Sequence, residues 1–349
     1  MGFLGLTREA TGATIRVTRP NWGRNSVSLP NMRTLVLSDI HENIVSVRRM
    51  RECESDVYDA IIVAGDIGNE IAEEFYAVLD SFNCPVFCVY GNWDNDLPYK
   101  RKLSKNCILL HQSVERVKGF FITGFSGCPT SWGRNPIHLA KKKALSHKHR
   151  GVLSRIERAS QRLEEQTQEI VARYAIELEE LSKATKDRRR KSYKRRVAKI
   201  EERKRSDIST AQIGVTKIYG SRAYSAYQSD ELAITDDTLL CNRNALFDLI
   251  RASNFPQDRL IIITHERMFR ISDEGIVPLL HVFGHIHKYA FSLFKGTHYL
   301  NAAAIDNGYS AAFGRKNLLP EGYCDVEISG GQVTVVRRLL GPSQKCAEG

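Results

Sequence analysis

Thr34-Leu35-Val36-Leu37-Ser38-Asp39-Ile40-His41 is a short apolar run that closes on an aspartate, a spacer and a histidine. A run of this length with a polar tip reads as a buried strand feeding a loop. The pattern recurs. Ala60-Ile61-Ile62-Val63-Ala64 leads into Gly65-Asp66, and Pro85-Val86-Phe87-Cys88-Val89-Tyr90 leads into Gly91-Asn92-Trp93-Asp94. Further on, Leu260-Ile261-Ile262-Ile263-Thr264 ends at His265, and His281-Val282-Phe283 runs into Gly284-His285-Ile286-His287. Helix-like stretches at 45–53, 70–81 and 239–252 alternate with these runs, and hairpin-like strands are expected through 299–303 and 323–338. Such alternation predicts an α/β fold whose loops gather at one sheet edge.

Glycines at 65, 91 and 284 let the backbone turn sharply beside the polar tips. Taken together, the tips bring Asp39, His41, Asp66, Asn92, Asp94, His265, His285 and His287 to a common edge. Imidazoles, carboxylates and an amide without cysteine form a borderline-to-hard donor set, suited to Mn, Fe, Zn, Co or Ni. An Asp-x-His pair recurs by chance, and a single strand-end histidine is more often a hydrogen-bonded structural residue than a ligand. Five such tips in order, each closing an apolar run, make coincidence a poor explanation.

The chain's 51 Lys+Arg and 40 Asp+Glu leave a net charge of +11 over 349 residues. The excess is local. Residues 141–205 hold 22 basic and 10 acidic side chains, so the rest of the chain is near neutral. A neutral body with a basic appendage predicts an anionic partner for the appendage. Residues 152–213 contain no glycine or proline and lie between Gly151 and Gly214, which reads as a helical block with punctuated ends. Ile156, Leu163 and Ile170 recur at sevenfold spacing with Ala159 between them, a coiled-coil seam. A hairpin turning near 182–187 returns both arms to one domain, whereas a single rod does not. The expected organisation is a lead-in (1–32), one domain (33–340) interrupted by a basic helical insertion (141–213), and a tail (341–349).

Hydrophobic residues at 42% and charged residues at 26% suit a globular core and exclude wholesale disorder. No run approaches 18 consecutive apolar residues, so a membrane span is not expected. The opening segment turns charged too soon for a secretory signal, and Leu6 stands where a myristoylation signal needs Ser or Thr. Eight cysteines without zinc or redox spacing predict free thiols and a reducing, cytoplasmic setting.

The ordered series Asp39-x-His41, Gly65-Asp66, Gly91-Asn92-x-Asp94, His265 and Gly284-His285-x-His287 resembles the calcineurin-like metallophosphoesterase superfamily. The resemblance spans residue 33 to about residue 306, apart from the helical insertion. It implies a two-sheet β-sandwich flanked by helices, with two divalent metal ions, Mn foremost, at the sheet edges. Asp39, His41 and His287 would then hold one metal, and Asn92, His265 and His285 the other, with Asp66 bridging. Asp66, Asn92, Asp94 and His265 form the catalytic set it implies. Paired cations lower the pKa of a shared water, orient the phosphate and neutralise its growing charge, so that hydroxide attacks phosphorus in line. One residue departs from the pattern. Where the family usually has a histidine that contacts the phosphoryl group, this chain has Trp93, which cannot titrate. A general acid worth ~10²–10⁴ in rate is then absent from that position. Packing over the site and stacking on a base are equally open readings of Trp93.

Three functions follow. The first is a phosphodiesterase or nuclease, with the metal site supplying hydrolysis and the insertion a cationic track for phosphates. The second is a phosphatase or phosphodiesterase for small or protein-bound phosphates, the insertion serving as a partner-docking arm. The third, a non-enzymatic scaffold, is disfavoured because a scaffold has no reason to keep seven buried polar groups. No membrane partner is expected. The oligomeric state stays open, with a coiled-coil dimer as one arrangement. His111 follows a strand and is expected to be structural. Tyr219, Tyr224 and Tyr227 are expected to pack the insertion onto the core rather than stack on bases.

Overall fold

A computed structural model describes residues 14–17, 30–55, 57–127, 134–185, 191–306 and 321–340. Most of the lead-in, the stretch 128–133, the basic stretch 186–190 within which the expected turn ends, and the tail lie outside the described residues. The chain forms two compact units: Met1–Leu139 with Thr235–Gly349, and Ala140–Ile234.

In chain order the elements begin with β1 (Thr14–Val17), β2 (Met32–Leu37), α1 (Ile44–Cys53), β3 (Ala60–Val63), α2 (Ala72–Asp80), β4 (Val86–Cys88) and β5 (Cys107–Leu109). The hairpin β6 (Ser113–Val117) and β7 (Phe120–Gly124) follows. Four helices come next: α3 (Pro136–Lys148), α4 (Arg150–Ala184), α5 (Lys191–Tyr219) and α6 (Arg222–Ser253). The chain then adds β8 (Leu260–Ile263), β9 (Leu280–Phe283), β10 (Ala290–Phe294), β11 (Thr297–Asn301), β12 (Gly322–Ser329) and β13 (Gln332–Leu339).

The strands make two sheets, ordered β1-β13-β12-β2-β3-β4-β5 and β10-β11-β9-β8-β7-β6. β2 through β5 are parallel neighbours, as are β7, β8, β9 and β11. Alternation along each strand sorts its side chains between layers. Val36 and Ile62 of one sheet meet Ile122, Ile261, Ile263 and Val282 of the other, closing a β-sandwich. Leu35, Leu37, Ile61 and Val63 face outward onto Val47, Met50, Phe75 and Leu79 of α1 and α2. Leu260, Ile262, Phe283 and Tyr299 pack on Leu246, Phe247 and Ile250 of α6. The result is the expected two-sheet α/β sandwich flanked by helices. No disulfide joins the described cysteines, and no helix among the described residues is long and apolar enough to cross a membrane.

The strands stop before their polar tips. β2 ends at Leu37, β3 at Val63 and β9 at Phe283, leaving Asp39, His41, Asp66, His285 and His287 in loops. These five residues have φ of 52°, 48°, 56°, 70° and 50°, a left-handed backbone that a strand cannot contain.

The second unit differs from the sequence reading in its punctuation. Gly151 lies within the first turn of α4, and Gly214 inside α5, which runs on to Tyr219. A single glycine costs a helix about 1 kcal/mol and need not end it. The break comes at Gly220-Ser221, where the Ser221 hydroxyl accepts the Tyr224 N–H (3.3 Å) and caps α6. The second unit runs from Ala140 to Ile234. α4 and α5 pair as an antiparallel hairpin, with Arg173 bonding Asp207 and Arg203 bonding Glu177. The Tyr174 hydroxyl also donates to Asp207 (2.9 Å). Tyr219, Tyr224 and Tyr227 form a ladder of rings with His149 inside this unit.

Candidate metal centre

All the polar tips follow the carboxyl ends of parallel strands in the first unit. The crossing from one sheet to the other is stitched there: Ile305 donates its N–H to Ser38 (3.1 Å) and Asp306 to Asp39 (3.0 Å). Two clusters result. Asp39, His41 and His287 bring one ligand atom each within 4.8 Å of one another, and so do Asp66, His265 and His285.

Asp66 joins the clusters. Its Oδ2 lies 3.2 Å from His41 Nε2 and 3.1 Å from His265 Nε2, one imidazole of each group. Its Oδ1 accepts the backbone N–H of Trp93 (2.8 Å). His265 donates from Nδ1 to the Ala64 carbonyl (2.7 Å), which fixes the tautomer and leaves Nε2 as the donor atom. Asp39 Oδ1 accepts the backbone N–H of His285 (3.0 Å) and faces His287 Nε2 at 3.4 Å. Asp39 Oδ2 and Asn92 Oδ1 are buried and have no hydrogen-bond partner among the described residues. Unmet oxygen acceptors beside imidazoles are the donor set that a divalent cation fits.

The electrostatics agree with that fit. Burial pushes Asp39 up to about 6. Burial also raises Asp94, with the Asp66 carboxylate adding to it. Burial opposes ionisation of Asp66, but His265 and hydrogen bonds from His265, His41 and the Trp93 N–H outweigh it, holding its carboxyl well below the usual range. Burial likewise opposes a charge on His265, yet the neighbouring Asp66 and Asp39 carboxylates lift it to about 9. Buried carboxylates that recruit protons onto neighbouring groups are a site built for positive charge.

Asp94 belongs to neither cluster. Its carboxylate accepts four backbone N–H groups, from Asp66 (2.9 Å), Ile67 (2.8 Å), Gly68 (2.9 Å) and Gly91 (2.8 Å). It ties the loop after β3 to the loop after β4 and so positions Asp66. Trp93 stacks face to face on His41, centroids 4.7 Å apart and planes within 5°. The indole thus buttresses an imidazole of the first cluster. His111 is buried and accepts the Ser126 N–H (3.2 Å), and burial lowers it to about 4, which suits a structural histidine.

Close packing explains the glycines. A Cβ at Gly284 would lie 1.7 Å from Ser38 Oγ and 2.8 Å from Asp39 Oδ2, and one at Gly91 would lie 2.2 Å from Asp66 Oδ1. The sequence reading missed the four-fold role of Asp94 and the carbonyl of Ala64, since neither carries a pattern of its own.

Residues 32–173 match the calcineurin-like phosphoesterase superfamily domain, so over this span the chain is similar to that superfamily. The matched span holds Asp39, His41, Asp66 and Asn92, while His265, His285 and His287 come from beyond it. Among solved structures, a Thermus thermophilus protein is similar at 9% identity, with 87% of this chain and 97% of that one covered and a TM-score of 0.42. Vacuolar protein sorting 29 from Cryptosporidium parvum is similar at 11% identity, with coverage of 90% and 94% and a TM-score of 0.38. A predicted phosphoesterase from Streptococcus pneumoniae is similar at 11% identity, covering 86% of each chain, with a TM-score of 0.32. No curated protein matches.

Proposed function

We propose that the protein is a metal-dependent phosphodiesterase acting on nucleic acid. The observation that carries the hydrolytic part is Asp66 Oδ2, which touches one imidazole of each ligand cluster. Asp39, His41 and His287 would hold one cation, and Asn92, His265 and His285 the second. Bound there, the pair supplies an activated water and neutralises charge on the phosphoryl oxygens. Asp94 keeps Asp66 in register, and the Ala64 carbonyl keeps His265 in the ligating tautomer. Trp93 supplies no proton, so the reading favours esters with a good leaving group.

A groove of the helical unit supports the substrate class. Arg155, Arg158, Arg162 and Lys217 line a cleft of about 510 Å³ between α4 and α5, and no carboxylate lines it among the described residues. Four converging cations suit a phosphate backbone, which exchanges condensed counterions for such partners. Hydrolysis of single- and double-stranded DNA and RNA by the Mn-loaded protein, beside p-nitrophenyl phosphate, tests the reading. Cleavage of polynucleotide is expected; cleavage of the monoester alone overturns it.

A further inference from the structure

A second hollow lies within the first unit, along the same loops that carry the histidines. It measures about 210 Å³, and its wall includes Glu266 and Arg267, next after His265, with Gly284 and Ile286, which flank His285. This volume falls below the range that encloses a drug-sized ligand and suits one ring system. The hollow is made by the sheet register. Asn301 of β11 stands between Phe283 of β9 and Ala290 of β10, and Tyr299 pairs with Ser292. The β10 residues that line it, Ala290 and Ser292, are small.

Asn301 is the unexplained group. It is fully buried, yet neither its Oδ1 nor its Nδ2 has a hydrogen-bond partner among the described residues. An amide buried without partners is costly, so a residue kept in this state needs a reason outside the folded chain's own bonding. Around it the surfaces are flat and π-rich. The Arg267 guanidinium covers the Tyr299 ring at 4.4 Å and the Phe269 ring at 5.4 Å, and Phe269 and Ile286 are exposed at the rim.

We infer that this hollow seats a nucleobase of the substrate, read by the Asn301 amide and stacked against the Arg267–Phe269 wall. The inference rests on the nucleic-acid reading above and adds the group that this reading left unassigned. An Asn amide offers one donor edge and one acceptor edge side by side, which matches the paired donor and acceptor on a base. Aromatic and guanidinium faces stack on any base, so the seat tolerates sequence while demanding a planar ring. Because its wall is the chain on either side of His265 and His285, the seated base belongs to the nucleotide whose phosphate is at the candidate metal centre.

Calorimetry tests this without turnover. The full-length protein is titrated with non-hydrolysable phosphonate analogues of AMP and UMP, and with the matching ribose phosphonate that lacks a base. At least one base-bearing ligand should bind about 100-fold tighter than the ribose analogue, the contribution of roughly two hydrogen bonds and a stack. Asn301→Leu should cut that advantage about tenfold, leaving the share of the stack, while raising Tm, because it removes an unpaired buried amide. Equal affinity of all three ligands for the wild type overturns the inference, as does an advantage that is undiminished in Asn301→Leu. If that variant does not fold, the wild-type comparison decides alone. Absence of polynucleotide hydrolysis would remove the nucleic-acid reading without altering these binding curves.

Discussion

Asp66 is the residue on which the site turns, since its carboxylate touches both ligand clusters. Outer-shell partners of a metal site typically cost about 10–100-fold when removed. Asp66→Asn should therefore lower hydrolysis by at least about 100-fold, and elemental analysis should find fewer than two metals per chain. Trp93 makes a different prediction. If the indole leaves the leaving group without an acid, rates should fall steeply as leaving-group pKa rises, and Trp93→His should flatten that slope in a series of substituted phenyl esters. An unchanged slope with intact metal content would show that another group already supplies the proton. At this scale the sequence was informative about which residues meet, because each ligand candidate closes an apolar run. It was silent on Asp94, whose four N–H partners are three consecutive residues of a loop 26 to 28 residues away and one nearby glycine. Asn301 also closes a strand, but no neighbouring motif marks it.

Between elements, close approach and charge pairing do the positioning. Gly284 has no room for a methyl group beside Ser38 Oγ, so Gly284→Ala must shift the β9 loop or the β2 tip. Overpacking of this kind costs about 1–3 kcal/mol, and urea denaturation should show that destabilisation together with weakened metal binding. Across the first sheet, Asp325 of β12 accepts from Arg33 of β2 (3.0 Å) and from Arg338 of β13 (2.9 Å). Burial opposes the Asp325 charge, but the two guanidiniums hold its carboxyl below the ordinary value of 3.8. A carboxylate depressed in the fold stabilises above its unfolded pKa, and that contribution disappears as pH falls through the folded value. Asp325→Asn should thus cost about 1–2 kcal/mol at pH 7, since both arginines are partly exposed. Thermal melts of wild type and variant should converge as pH drops below 3.8. Strand cores were legible as short apolar runs buried on both faces, as Leu35, Val36 and Leu37 illustrate. The ends of helices were less so. Gly214 looked like a stop yet sits inside α5, while the Ser221 cap was passed over.

At the scale of the whole molecule, charge divides the chain as the fold does. The basic excess at 141–205 lies in the unit Ala140–Ile234, and its antiparallel α4–α5 hairpin presents a groove rather than a bare charged rod. Reversing Arg155, Arg158 and Arg162 to Glu should weaken binding of duplex DNA. It should also shrink the log–log salt slope, by ~0.9 for each phosphate that is no longer neutralised. Hydrolysis of bis-p-nitrophenyl phosphate should stay near normal, because the ligand candidates belong to the other unit. Equal DNA binding by this variant would make the hairpin a docking or structural element instead. The central claim, a phosphodiesterase that works through a pair of cations, has a more direct test. Protein stripped with EDTA is titrated with Mn²⁺ while hydrolysis of bis-p-nitrophenyl phosphate is followed. Activity should rise from near zero and level off at two equivalents per chain; a plateau at one equivalent, or no hydrolysis at two, would contradict the account.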